Sequence, residues 1–262
     1  MFATERELPI TGGAEKRTYV RGMFTAIAPQ YDLLNHLLSL NSDRRWRRLA
    51  VDRLGWETAP RGTYLDLCAG TMDLAAELGN RAGFTGHVIA TDFVQAMLVR
   101  GRAKSARSVP CNADAMSLPF GDAVFDGAMV GFGVRNLADL DAGLGEAVRV
   151  LKPGARLVVL EFSLPLRNPL RAAYLAYFRH LLPLIGRLVS KHRDAYTWLP
   201  ESVTAFPGAA ELAERLRGAG LGSVSYELLF GGVCSVHIGA KASTVNSQRS
   251  TGTAVLPGSL AP

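Results

Sequence analysis

Three acidic residues stand at the ends of three successive apolar runs: Asp66 in "YLDLCAG", Asp92 in "HVIATD" and Asp114 in "VPCNADA". Runs of this kind read as buried parallel strands, and ligands of open α/β sheets lie at the carboxyl ends of such strands. In the turn "DLCAGTMD", Gly70 lets a ligand approach the backbone, while the Thr71 hydroxyl and the amides opening the next helix can donate to it. Asp92 falls about 20 residues after that glycine, where a carboxylate accepts from both ribose hydroxyls, and Asp114-Ala115 falls beside the base. The other duty open to Asp66 and Asp92 is to cap helices, and to Asp114 to begin a turn.

A nucleoside is therefore expected, and the glycines select which one. A dinucleotide's pyrophosphate needs a GxGxxG loop, whereas "CAGTMD" has a single glycine. S-adenosylmethionine has no phosphate, and its sulfonium, carboxylate and amine are served by carboxylates and backbone carbonyls. It is the expected cofactor. No HxxxH or CxxC spacing occurs, so no metal is expected. The three cysteines are odd in number and far apart, which fits a reducing compartment rather than a disulfide framework.

Those residues need a sheet to hold them. Strands are expected at Tyr64–Cys68, His87–Thr91, Val109–Ala113, Phe125–Gly131 and Arg156–Phe162, with helices beginning near Asp73, Phe93 and Ala138. A helical segment follows from Pro169 to Val189, then a helix from Gly208 to Ala219. "SVSYELLFGGVCSVHIGAK" reads as a closing hairpin about Gly-Gly. Upstream, "YVRGMFTAIAPQYDLLNHLLSL", broken at Pro29, and "DRRWRRLAVDRL" form an N-terminal helical cap. The expected architecture is α/β: a seven-stranded, mostly parallel sheet with a terminal antiparallel hairpin. One domain is assigned to residues 17–242, with a flexible N-terminus at 1–16 and a disordered tail at 243–262.

No apolar run reaches the length of a membrane span and no secretory signal is evident, so a cytoplasmic protein is expected. The net charge of +6 and pI near 9.5 favour an anionic contact. Residues 162–193 contain six Lys or Arg and no acid, interleaved with apolar residues, which suits anionic lipid headgroups. A solvated helical lid fits the same pattern. Nucleic acid is not expected: no aromatic-basic module is present, and "GFGVRN" stands where an amino-methylase would have an [ND]PP[YF]-like element.

With these residues in view, the chain resembles the UbiE/MenG (Coq5) family of quinone C-methyltransferases from about Tyr19 to Lys241. Its N-terminal signature is "YDLLNHLLSLNSDRRW", matching at Tyr31, Asp32, Asn35, Ser39 and Trp46 and departing at Leu34, Asn41 and Asp43. "RVLKPGARLVVLEFS" departs only at Ala155, and "GFGVRN" is similar to the family's "SFGxRN". The resemblance implies a class I methyltransferase, Rossmann-like fold. It also implies methylation of a prenylated quinol ring, demethylmenaquinol to menaquinol or else the benzoquinol precursor of ubiquinone. A cofactor-binding homologue with reduced catalysis is a further alternative. Thr71, Asp92, Asp114 and Ala115 match cofactor contacts, and Gly131 occupies another without its side chain. Met72 replaces a glycine; helical backbone angles are expected for it, since a positive φ would cost about 1–2 kcal/mol.

Methylation of a ring carbon needs in-line approach and a polar group near the quinol hydroxyl, not a nucleophile. Arg135 and Asn136, just after the fourth strand, face the substrate side in this reading, Arg135 as stabiliser of a phenolate. A salt bridge from Arg135 to Asp139 or Asp141 is the competing assignment. Tyr31, Asp32 and His36 are candidates for holding ring hydroxyls or accepting a proton. A prenyl tail stays in the bilayer at about 0.8 kcal/mol per buried CH₂, so peripheral contact with the inner face of the cell membrane is expected. A homodimer is left open.

Overall fold

The computed structural model describes residues 8–39, 41–165, 169–177 and 194–242. Its strands are β1 (Thr63–Leu67), β2 (His87–Asp92), β3 (Ser108–Asn112), β4 (Phe125–Gly131), β5 (Leu151–Phe162), β6 (Leu221–Leu229) and β7 (Cys234–Lys241). They form one seven-stranded sheet in the order β3-β2-β1-β4-β5-β7-β6. The first five are parallel, and β7 runs antiparallel between β5 and β6. The expected sheet and closing hairpin are both present. Strand order reverses at β1, and the crevice beside β1 and β4 opens there.

The central strands read as near-continuous apolar runs because both their faces are covered. Leu65 and Leu67 of β1 pack with Val130, Val159, Leu144 and Leu216 on one side. Tyr64 packs with Leu54, Leu78, Val88, Met129 and Val236 on the other. Side chains alternate along a strand, so Asp66 shares the Tyr64 face and points toward the helix that follows β1.

The helices are α1 (Gly13–Ile27), α2 (Tyr31–Leu38), α3 (Ser42–Leu54), α4 (Asp73–Gly79), α5 (Gln95–Gly101), α6 (Leu140–Arg149), α7 (Leu170–Ala176), α8 (Asp194–Ala205) and α9 (Ala209–Gly218). Pro29 breaks the cap as expected, within a 3₁₀ turn at Ala28–Gln30. α1 begins at Gly13, inside the stretch expected to be flexible, and Gly13 N donates to Ala138 O at 3.2 Å. α6 starts two residues later than expected because Asp139 caps it, accepting from Ala142 N at 3.0 Å. β5 starts at Leu151 rather than Arg156, the register with β4 shifting between Phe125 and Gly127. Of the expected membrane-facing segment 162–193, residues 166–168 and 178–193 lie outside the described residues, as does the tail from 243.

Candidate active site

The turn leaving β1 reverses the chain in few residues, and Cys68, Gly70 and Met72 all adopt positive φ (52°, 52° and 63°). Gly70 borders the side chains of α2 and α5: a Cβ there would lie in van der Waals contact, 3.6 Å from Met97 Cε and 3.7 Å from Tyr31 Cε1. Its amide donates to Asp92 Oδ2 at 2.8 Å, and Val94 N donates to Asp92 Oδ1 at 2.8 Å. Asp92 thus ties the first turn to the start of α5. Each of its oxygens keeps a further lone pair, and its side chain lines the adjoining cavity. Burial pushes its pKa up to about 6, against the pull of the two amides.

That cavity brings together seven of the expected residues: Gly70, Asp92, Asp114, Ala115, Gly131, Asn136 and Tyr31. Arg17, Val20 and Phe24 of α1 close it from above. Asp114 pairs with Arg17 at 2.6 Å and accepts from Met116 N at 3.0 Å. The lining fits an adenosine without phosphate, since it offers two carboxylates and its single arginine is already paired with one of them. Gly131 backs onto Leu74, whose Cδ1 would lie 2.8 Å from an added Cβ. Burial raises the Tyr31 hydroxyl above the ordinary phenol range, opposed by a hydrogen bond with Asn35.

Four expected site residues are placed elsewhere. Asp66 is 1% exposed and accepts from Ala75 N at 2.9 Å, so it serves the start of α4 rather than the cavity. Burial pushes its pKa up to about 8. Thr71 is buried and donates to Asp32 Oδ1 at 2.5 Å. Asp32 also takes Lys104 Nζ at 2.7 Å, and the same Nζ reaches Asp73 Oδ1 at 2.6 Å. Asp32 therefore straps α2 to the turn after β1 and is not left free as a base. Its carboxyl is held below the usual range by these partners despite burial.

Arg135 pairs with neither Asp139 nor Asp141. Its NH1 meets Glu161 Oε1 at 2.6 Å with both side chains buried, and its guanidinium lies 5.2 Å from the Phe162 ring centre. Glu161 was missed by sequence reasoning, although an acid inside the apolar run "RLVVLEF" requires a cationic partner. Asn136 accepts from Trp198 Nε1 at 2.9 Å and donates to Phe132 O at 3.3 Å. His36 turns to Asp43 Oδ2 at 3.0 Å, and Asp43 also binds Ser39 and Arg47.

Met72 corrects the expectation of helical angles at negative φ. It is left-handed (φ 63°, ψ 31°) and precedes α4. Its fully buried side chain joins the core with Leu74, Leu78 and Leu98, away from the cavity. Gly101 makes the room, because a Cβ there would come within 2.7 Å of Met72 Cβ and 2.3 Å of Thr71 O. Among the described residues, no cluster of three His, Cys, Asp or Glu side chains is placed to hold a metal.

The ubiE/COQ5 methyltransferase family matches residues 12–241. A demethylmenaquinone methyltransferase of Thermus thermophilus is 48% identical over 221 residues, covering 83% of this chain and 99% of the relative. A ubiquinone/menaquinone biosynthesis C-methyltransferase UbiE of Klebsiella pneumoniae is 40% identical over 236 residues, covering 87% and 92%. In fold, a SAM-dependent methyltransferase of Thermotoga maritima aligns with TM-score 0.56 at 19% identity, covering 85% of this chain and 99% of that one.

Proposed function

Since this chain belongs to the ubiE/COQ5 methyltransferase family, we propose that it methylates a ring carbon of a prenylated quinol, converting demethylmenaquinol to menaquinol. The chain is a C-methyltransferase and S-adenosylmethionine is its methyl donor. The observation that carries the site is Asp92, a buried carboxylate anchored by two backbone amides with acceptor capacity left for ribose hydroxyls. The naphthoquinol ring is favoured by the 48% identity to the Thermus thermophilus relative, against 40% to the UbiE relative of Klebsiella pneumoniae.

When bound, S-adenosylmethionine supplies an electrophilic methyl group on a sulfonium. The chain's own residues do the rest: Asp92 accepts from the ribose, Asp114 with Ala115 meets the base, and Gly70 leaves the backbone open. Gly131 adds a surface without a side chain. On the substrate side, Asn136 and Tyr31 offer hydrogen bonds to ring oxygens. Arg135, paired with Glu161 outside the cavity lining, donates to Phe132 O, as Asn136 does, and so positions that turn. Preorganised donors of this kind contribute several kcal/mol in a site shielded from water. Asp32 and Thr71 position the turn without touching either ligand.

A prenyl tail draws the enzyme to a lipid surface, and among the described residues no helix is long and apolar enough to cross a membrane. Peripheral binding is the mode that follows. It is checked by flotation with anionic vesicles. The benzoquinol reading draws its support from the UbiE relative of Klebsiella pneumoniae. Met72 faces the core, so it lends no weight to a homologue without catalysis. The test is transfer of labelled methyl from S-adenosylmethionine to reduced demethylmenaquinone and to the demethylated benzoquinol. Faster turnover of the naphthoquinol supports the proposal, and turnover of the benzoquinol alone would replace it.

A further inference from the structure

The wall of the cofactor cavity continues into a run of aromatic side chains. Phe132, directly after β4, lines that cavity, and its ring centre lies 4.6 Å from that of Phe162, the last residue of β5, and 6.1 Å from that of Trp46 in α3. Trp46 in turn lies 6.4 Å from Phe162 and 5.6 Å from Phe230, in the turn between β6 and β7. Rings at these separations are in contact. Trp46 is buried, Phe132 and Phe162 are partly buried against the same core face, and Phe230 is 55% exposed. The run therefore leads from the cofactor to the surface without a break.

Packing alone does not call for this form. Phe132 and Phe230 both take positive φ, 60° and 50°, in the left-handed region that non-glycine residues avoid. Phe132 is held there by hydrogen bonds: its N–H donates to Leu160 O at 2.8 Å, and its carbonyl accepts from Arg135 and Asn136. Phe230 precedes Gly231 and Gly232, so the turn has glycines at hand, yet a phenylalanine shares their positive φ. Burial does not offset the strain, because more than half of Phe230 meets solvent. Strain of this kind persists where a side chain is needed for function. The Arg135 guanidinium beside Phe162 has its charge taken by Glu161, which leaves the run apolar.

We propose that this run is the track along which the quinol's prenyl tail leaves the site, its first isoprene units lying on Phe132, Phe162 and Trp46 and the chain passing into the bilayer over Phe230. The assignment rests on the quinol reading above. A ring held between Tyr31 and Asn136 starts its tail beside Phe132, since all three residues line one cavity. The tail has to leave that cavity, because its far end stays in the membrane. Its double bonds and methyl branches are apolar and lie well against aromatic faces. Phe230 at the mouth then gives the tail an apolar step between protein and lipid, the place at a membrane surface that exposed phenylalanine suits.

The test compares kcat/KM for demethylmenaquinol carrying a prenyl tail with kcat/KM for the same ring without one. Wild type should favour the tailed quinol through a lower KM. Phe230→Gly removes the ring and keeps a residue that takes positive φ freely, so Tm should stay close to wild type. Losing one aromatic wall should cut the preference for the tail about tenfold, in KM rather than kcat. A merely structural defect would slow both substrates alike. Leu228→Ser, exposed on β6 outside the run, should keep the wild-type preference. No preference for the tail in wild type, or an undiminished preference in Phe230→Gly, would overturn the track. A readout free of methylation is titration with farnesol, a prenyl alcohol without a quinol ring, followed by tryptophan fluorescence. Emission should change on binding in wild type, stay unaltered in Trp46→Phe, and change only at about tenfold higher farnesol in Phe230→Gly. Wild-type emission indifferent to farnesol, or a change that persists in Trp46→Phe, would overturn the proposal without recourse to any variant at Phe230. Wild type inactive on both quinols yet binding farnesol at Trp46 would overturn the quinol reading and leave the run a prenyl site.

Discussion

Met72 allows the backbone and side-chain parts of one residue to be separated. The side chain is fully buried, and truncating a buried Met to Ala costs about 2–5 kcal/mol. Its φ of 63° puts a non-glycine residue in the left-handed region, at about 1–2 kcal/mol. Met72→Ala loses the packing and keeps the strain, whereas Met72→Gly loses the packing and relieves it. Both variants should be less stable than wild type, with Met72→Gly recovering about 1 kcal/mol relative to Met72→Ala. In urea denaturation this appears as a higher midpoint for Gly than for Ala. Affinity for S-adenosylmethionine should be unchanged in both, because Met72 does not line the cavity. A Gly variant no more stable than the Ala variant would refute the strain assignment, and a tenfold gain in cofactor affinity would refute the inward orientation.

Asp66 titrates at about 8 in the fold against about 3.9 in an unfolded chain. A raised carboxyl pKa gives stability that is complete below the unfolded value and lost as pH rises through the folded one. Wild type should therefore weaken between about pH 4 and 8, by roughly 1.4 kcal/mol per unit at most. Asp66→Asn keeps an acceptor for Ala75 N and should not weaken in this way; a difference in Tm between the two that is constant across that range would contradict the shift. Glu161→Ala leaves Arg135 buried and unpaired and should cost about 3–5 kcal/mol, part of which Arg135→Met in the same chain restores. A double variant no more stable than Glu161→Ala alone would show that the pair is not the cause.

Much of the scaffold was legible because strands buried on both faces leave long apolar runs, and because Pro29 and the Gly-Gly turn before β7 punctuate the chain locally. Asp92 was legible by its spacing after Gly70. Asp66 was not separated from it, although side-chain alternation along β1 assigns it to the α4 face with Tyr64. The partners of Arg135 and Asp32 lie far along the chain, at Glu161 and Lys104, while local reading offered only Asp139 and Asp141 for the arginine. The backbone of Met72 depends on the missing side chain of Gly101, a contact visible only once α5 is packed.

The most direct measurement is calorimetric titration of S-adenosylmethionine into wild type and Asp92→Ala across pH. Hydrogen bonds to a charged acceptor are worth about 1.5–3 kcal/mol each, so losing two ribose contacts should weaken binding at least 100-fold at neutral pH. Wild-type affinity should fall as pH drops through about 6 and Asp92 takes up its proton, while the variant shows no such step. Wild-type affinity in Asp92→Ala, with an unaltered pH response, would contradict the assignment of this crevice to the cofactor.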